Sequence, residues 1–189
     1  MLIRYPLPML TVPDEIATAR LTLRRIRRDD AVGIFDAYAS RPEVARYMTF
    51  PVARAVADVQ AFVDRAVAGW EERHAYEFTV RSDGGRIVGG CGFEQAVRGA
   101  DRHLLFGYCL APREWNRGYG TEVAAAVRSW FESADGVYRL SAVVDVDNPA
   151  SSRVLEKAGF AFEGVLRRWI VHPNVSDEPR DVRMYAAVR

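Results

Sequence analysis

Cysteine is scarce in this chain, with only Cys91 and Cys109 among 189 residues, and there are three histidines. That leaves no disulfide framework and no Cys/His cluster at ligand spacing, so no metal is expected and a reducing compartment fits. Both thiols lie in apolar, strand-like runs and read as small buried hydrophobes. A long hydrophobic run is also missing, so no segment is expected to span a bilayer. The opening "MLIRYPLPMLTVP" is apolar but broken by Pro6, Pro8 and Pro13, with no h-region or small-residue cleavage site. An excess of either charge is absent too: Lys+Arg 26 against Asp+Glu 25 gives a formal +1, no field for a nucleic acid. Arg24, Arg25, Arg27 and Arg28 then read as a solvated face. The chain holds no G-x-x-x-x-G-K-[ST] and no early G-x-G-x-x-G with an acidic ribose partner, which disfavours a P-loop kinase or a dehydrogenase. These absences lead to the expectation of a soluble cytoplasmic protein without nucleic-acid or membrane partners.

What is present is a core: 49% of the residues are hydrophobic, enough for one domain over residues 1–189, with 1–17 as an extended leading segment. "RLTLRRI" alternates as a strand, and Asp29 and Asp30 are N-cap types before a helix through "AVGIFDAYA". Val56, Val59, Val63, Val67 and Trp70 recur at helical steps. "YEFTVRS", "DGG" and "RIVGGCGF" read as a hairpin, with Asp83 and Gly84 supplying positive φ. "HLLFGYCL" and "YRLSAVVDV" flank a helix, a parallel crossover. A short helix starts at Asn148 with Pro149 in first position and stops before Gly159. "FAFEGVLRRWIV" and "DVRMYAAV" close an α+β fold built on a mixed, mostly antiparallel twisted sheet flanked by helices.

Two stretches carry chemistry. In "PREWNRGYGTEVAAAVRSWF", Gly118 and Gly120 remove Cβ atoms where a helix begins and its first N–H groups have no partner, an arrangement suited to an anion. Arg117 adds charge, because a helix terminus alone contributes only about 0.3–1 kcal/mol per exposed interaction. The competing reading is that the glycines merely shape a strand-to-helix turn. In "NPASSRVLEKAGF", Asn148 is a helix cap or a ligand contact, and the Ser151 hydroxyl either bonds its own helix or faces a cleft.

Together, "W-N-R-G-Y-G-T-E" and "N-P-A-S-S-R-V-L-E-K-A-G-F", separated by one strand, resemble the acetyl-CoA-binding core of the GNAT N-acetyltransferases, and within them the RimJ/RimL-like branch that acetylates N-termini of ribosomal proteins. The resemblance runs from "ARLTLRRI" to "DVRMYAAVR". It implies the GNAT fold, with a splayed parallel strand pair holding acetyl-CoA as cosubstrate. Backbone amides of Arg117, Gly118, Tyr119, Gly120 and Thr121 would hold the pyrophosphate. Pantetheine would pair with backbone near Leu110 and Ala111, with Asn148 on its other side. The chain departs from the wider pattern at Trp115, at Leu155, where a general-acid tyrosine often stands, and at Leu105, where a glutamate is frequent.

The implied reaction is attack of a neutral amine on the thioester. Ser151 is then the expected proton donor to the departing thiolate, and a backbone N–H near Leu110 the oxyanion donor. Glu94 is the expected base, with Glu163, Asp145, His103 and His172 as weaker candidates. The expected acceptor is a peptide or protein α-amine, because the helices expected to line the cleft hold no acidic cluster for a polyamine. A small-molecule amine acceptor, or a non-catalytic acyl-CoA-binding domain, are the alternatives. A monomer or homodimer fits.

Overall fold

The computed structural model describes residues 10–97 and 100–189. Eight strands form one sheet: β1 (Glu15–Ala17), β2 (Leu21–Arg25), β3 (Ala75–Ser82), β4 (Ile87–Val97), β5 (Ala100–Leu110), β6 (Arg139–Asp145), β7 (Ala161–Ile170) and β8 (Arg180–Val188). Their order is β1-β2-β3-β4-β5-β6-β8-β7, and only β5 and β6 pair in parallel. Of the leading segment expected to be extended, residues 1–9 lie outside the described residues, and Glu15–Ala17 pairs with β2 as the sheet's first strand.

The helices are α1 (Ala31–Ile34), α2 (Pro42–Ala45), α3 (Val56–Glu71), α4 (Tyr119–Ser133) and α5 (Pro149–Lys157). In α4, Val123, Val127 and Phe131 recur every four residues and are fully buried, each contributing about 1.5–3 kcal/mol by leaving water. This helix covers one face of the sheet, where Trp130 stacks on Phe93 at 4.4 Å between centroids. The other face carries the α1 segment, with the Tyr38 hydroxyl occupying the space beside Gly90 that a side chain would fill.

Three local expectations differ from the structure. The helix expected through "AVGIFDAYA" is a 3-10 turn (Arg28–Asp30), the short α1 and a π-turn (Phe35–Ala39). Asp30 makes no side-chain bond as the cap of α1; it is buried between Arg24 and Arg81 at 2.6 and 2.5 Å, because a desolvated carboxylate needs cationic partners. These two arginines are therefore drawn into an ion-pair network, and Arg24 is not simply solvated. In the β3–β4 hairpin the positive φ, 73°, belongs to Gly85, not to Asp83 or Gly84.

Candidate active site

The β5–β6 pair defines the site by ending early. Register holds for His103–Arg139, Leu104–Leu140 and Leu105–Ser141, yet β5 runs on to Leu110 and β6 to Asp145. Beyond Leu105 the strands part, and the backbone of β5 is left without a neighbour on that side. The Ala111 N–H donates to the Val88 carbonyl at 2.8 Å, so the Leu110 N–H, one residue earlier on an alternating strand, faces the gap. The Leu110 carbonyl accepts the Trp115 indole N–H at 2.9 Å. Of the two residues expected to pair with pantetheine, Leu110 therefore keeps its donor for a ligand, whereas the Ala111 N–H is used to close the β4–β5 ladder.

At the far end of the gap lies the glycine corner. Gly118 sits at φ 78°, a left-handed conformation that turns the chain into α4. The first bond within the helix runs from the Glu122 N–H to the Gly118 carbonyl, leaving the N–H groups of Tyr119, Gly120 and Thr121 without helical partners. Gly120 packs the helix start against its neighbours, since a Cβ there would lie 3.3 Å from both Tyr108 and Val154. The glycines thus shape the turn, and the same turn leaves three N–H groups unpartnered within the helix. Arg117 bonds the buried Glu114 at 2.7 Å, and Arg86 and Arg113 pair with the same carboxylate. Arg20, which sequence reasoning missed, reaches in from the β1–β2 turn: it donates to the Arg117 carbonyl at 3.0 Å, pairs with Glu122 at 2.6 Å and lies over the Tyr119 ring. Four arginines against two carboxylates leave the corner electropositive.

Asn148 does cap α5, its Oδ1 accepting the Ser151 N–H at 3.2 Å. The Ser151 hydroxyl meets the Tyr108 hydroxyl at 3.1 Å, bridging α5 and β5 beside the splay. Burial pushes the Tyr108 phenol up to about 12, partly offset by the Ser151 bond. Tyr108 was not singled out from sequence; its alternation partner Cys91 across the strand gives no hint of a hydroxyl partner on a helix 43 residues away. Leu155, at the position of the missing tyrosine, is core.

The opposite face of the gap holds carboxylates. Paired strand positions share a face, so Glu77, Gly92 and Gly107 form one row across β3, β4 and β5, and Ala75, Glu94 and Leu105 the adjacent row. Glu94 is exposed. Glu77 retains partial solvent contact but is packed round by protein, and its carboxyl lies directly over Gly92. Burial, with the Glu94 charge adding to it, raises the Glu77 carboxyl to about 7. No cation pairs with Glu77 among the described residues. Cys109, half-buried in the row beyond, has its thiol pushed up to about 12, chiefly by burial.

The other candidate bases are engaged elsewhere. Glu163 pairs with Arg139, whose hydrogen bonds hold its carboxyl below the usual range. His103 lies 2.5 Å from the Ser141 hydroxyl, and burial followed by the Arg139 charge lowers its proton affinity. Asp145 is buried; burial raises its carboxyl, but the bonds from Arg180 outweigh this and hold it down. His172 packs at 3.5 Å from Asp145, edge-on to Tyr47.

Two open hollows flank α2. One, of about 610 Å³, is lined by Pro42, Glu43, Arg46, Val52, Asn174 and Val175. The other, of about 250 Å³, lies between the π-turn end, with Asp36 and Arg41, and Pro112 and Arg113 beyond β5. Asn174 clasps the wall of the first: its Nδ2 donates to the carbonyls of Ala45 and Phe50 at 2.8 Å, and its Oδ1 accepts the Val52 N–H at 3.2 Å. Among the described residues no group of His, Cys, Asp and Glu could hold a metal ion, and no helix is long and apolar enough to cross a membrane.

A family model described as an acetyltransferase (GNAT) domain matches residues 20–161. The uncharacterized N-acetyltransferase YoaA of Bacillus subtilis (strain 168) is 33% identical over 175 residues, covering 92% of this chain and 96% of YoaA. A GNAT-family acetyltransferase structure from Bacillus anthracis superposes with a TM-score of 0.77 at 26% identity, covering 92% of this chain and 98% of that one. Mycobacterium smegmatis RimJ, in complex with CoA-disulfide, gives a TM-score of 0.84 at 23% identity, covering 96% and 90%. The splayed strand pair, the glycine corner and the capped helix all lie within the residues that this family model matches, and the chain belongs to the GNAT acetyltransferase family.

Proposed function

We propose that this acetyltransferase moves the acetyl group of acetyl-CoA onto the α-amine of a peptide or protein N-terminus. The geometry fits the cosubstrate on three counts. The free N–H groups of Tyr119, Gly120 and Thr121, with Arg117 and Arg20 beside them, suit a diphosphate. The parted strands leave the Leu110 N–H to face an acyl oxygen. The Ser151–Tyr108 hydroxyl pair stands at the gap to give a proton to sulfur. Acetyl-CoA supplies an activated thioester, whose C–S bond breaks as the C–N bond forms. Of the two protons that the ammonium gives up, one leaves to a base and one ends on sulfur through the Ser151 hydroxyl.

The observation that supports this acceptor class is the mixed charge of the two hollows beside α2. Arg41, Arg46 and Arg113 line the two hollows together with Asp36 and Glu43, a mixed lining with no acidic excess to gather a polycation and open to a peptide with its own polar backbone. An α-amine, with a reference pKa of about 7.7–8.0 against about 10.4 for lysine, also has far more neutral form near pH 7. The test is mass spectrometry of a peptide carrying both amines, incubated with acetyl-CoA and with spermidine as competitor. Modification at the α-amine is expected; exclusive lysine modification, or spermidine acetylation with no peptide product, rejects the acceptor. Acetyl-CoA at about a hundredfold over its Kd should also stabilise the fold by about 2.7 kcal/mol, and ATP by much less; equal shifts from the two reject the cosubstrate.

A further inference from the structure

We propose that Glu77 is the general base of this reaction, taking the ammonium proton through one water, and that Glu94 acts on it only as a neighbouring charge. This rests on the acetyl-transfer reading above and assigns a role within that site.

The argument starts from the row Glu77, Gly92, Gly107 on β3, β4 and β5. Two of its three members have no side chain, so the Glu77 carboxyl can lie flat over Gly92 instead of standing off the sheet. A Cβ at Gly92 would come within 2.5 Å of the carboxyl carbon, whereas one at Gly107 would meet nothing within 4 Å. The carboxyl thus fills the space over Gly92, and the space over Gly107 beside it, towards β5, is open. Gly107 lies on the stretch of β5 beyond Leu105, where pairing with β6 has ended. With strands about 4.8 Å apart, a carboxyl over Gly92 stands about one strand from the space over Gly107, at the β5 edge of the parting. One water bonded at about 2.8 Å on each side bridges such a distance. Ser151 and Tyr108 reach the same gap from the opposite face, so the base and the thiol-protonating hydroxyls stand on the two sides of the reacting carbon.

The groups facing Glu77 set its affinity for the proton. Glu94 lies on β4, Cys109 on β5, and Tyr38 comes from the π-turn packed over Gly90, while Cys91, paired with Phe78 and Tyr108, lies beneath on the other face. None of these carries a positive charge. Burial drives the two thiols and the Tyr38 phenol upward, keeping them neutral, and Glu94 is the one negative neighbour. A carboxyl raised to about 7 by burial and Glu94 is half-ionised near neutrality, where a general base works best. Exposed Glu94 has neither this enclosure nor a glycine beneath it.

In the step itself, the ammonium R–NH3⁺ gives one proton through the water to the Glu77 carboxylate, and the neutral amine attacks the thioester carbon. The second nitrogen proton ends on the CoA sulfur. Glu77 then returns its proton to bulk water, and no oxidant or other reactant is needed.

The test compares pH–rate profiles of wild type, Glu77→Gln and Glu94→Gln, using whichever amine the wild type acetylates fastest. Glu77→Gln should lower kcat/KM by about 10²–10⁴-fold while keeping the wild-type melting shift with CoA. Glu94→Gln should lose at least about tenfold less and move the rising limb to lower pH, because a like charge is removed. An α-amine titrates near 7.7–8.0 on its own, so the displacement of the limb, not its presence, identifies the enzyme group. Loss of activity in Glu94→Gln with Glu77→Gln active overturns the proposal, as does a limb that stays in place. A polyamine or lysine as the preferred acceptor rejects the peptide reading and leaves the Glu77 test intact; turnover of no amine by wild type overturns both.

Discussion

Replacing Gly92 by alanine separates the chemistry of the cleft from the stability of the fold. A β-carbon at this position would lie 2.5 Å from the Glu77 carboxyl carbon, against 3.4–4 Å for ordinary contact. The carboxyl must therefore retreat by about an ångström, and the long glutamate side chain can do so by rotating. Misplacing a reacting group by about 1 Å costs about 10²-fold in rate, so kcat/KM should fall by about that factor. The backbone argues the other way for stability: glycine inside a strand is about 0.5–1 kcal/mol worse than alanine, and about 1 kcal/mol moves Tm by about 2–4 °C in a chain of this size. The expected result of parallel steady-state kinetics and thermal melting is a crippled enzyme whose Tm is equal to or above that of wild type. Full activity with a lowered Tm would refute the reasoning, since it would show that the carboxyl position is immaterial and that Gly92 serves packing.

Ser151→Ala should reduce kcat by about 10²-fold with little change in acetyl-CoA affinity. Tyr108→Phe should add little in the double variant, because the two hydroxyls share one bond of 3.1 Å; additive losses, or an unaltered rate in Ser151→Ala when chemistry limits turnover, would return the pair to a purely packing role. Glu77 also couples stability to pH: its folded-state carboxyl, raised to about 7, keeps its proton over a range where the unfolded chain, near 4.3, has lost it. Wild type should therefore lose stability as pH rises from about 4.3 to about 7 and level off above. Denaturant melts at pH 4.5 and 8 should show a smaller loss in Glu77→Gln, and equal losses in both proteins would contradict an enclosed carboxyl.

The elements legible in the sequence were those with local causes. The α3 and α4 stripes, the Asn148–Pro149 start of α5 and the glycine corner each depend on residues within a turn or two of one another. Glu77 was not legible, because "YEFTV" reads as a strand with a polar side chain on its solvent face. What encloses that side chain is the register that sets Gly92 and Glu94 beside it, and register is decided by the whole sheet. A signal was nonetheless present in "GGCGF", since three glycines in a strand mark a place where something approaches the backbone closely. Asp30 does stand at the cap position of α1, but its carboxyl is turned elsewhere for a related reason: its partners Arg24 and Arg81 come from two strands distant in sequence from each other. The Arg20 contact across the corner has the same origin, a separation of 97 residues.

Asn174 addresses only main-chain atoms, the carbonyls of Ala45 and Phe50 and the N–H of Val52. Every residue type presents a carbonyl, and all but proline present an N–H, so the seam between the β7–β8 loop and the loop after α2 does not depend on which side chains stand at those three positions. Substitutions at 50 and 52 can thus alter the hollow beside α2 while its enclosure keeps its form, whereas Ala45, fully buried, is held by its own packing. Among relatives of this chain, variation should gather beside this seam and spare the asparagine.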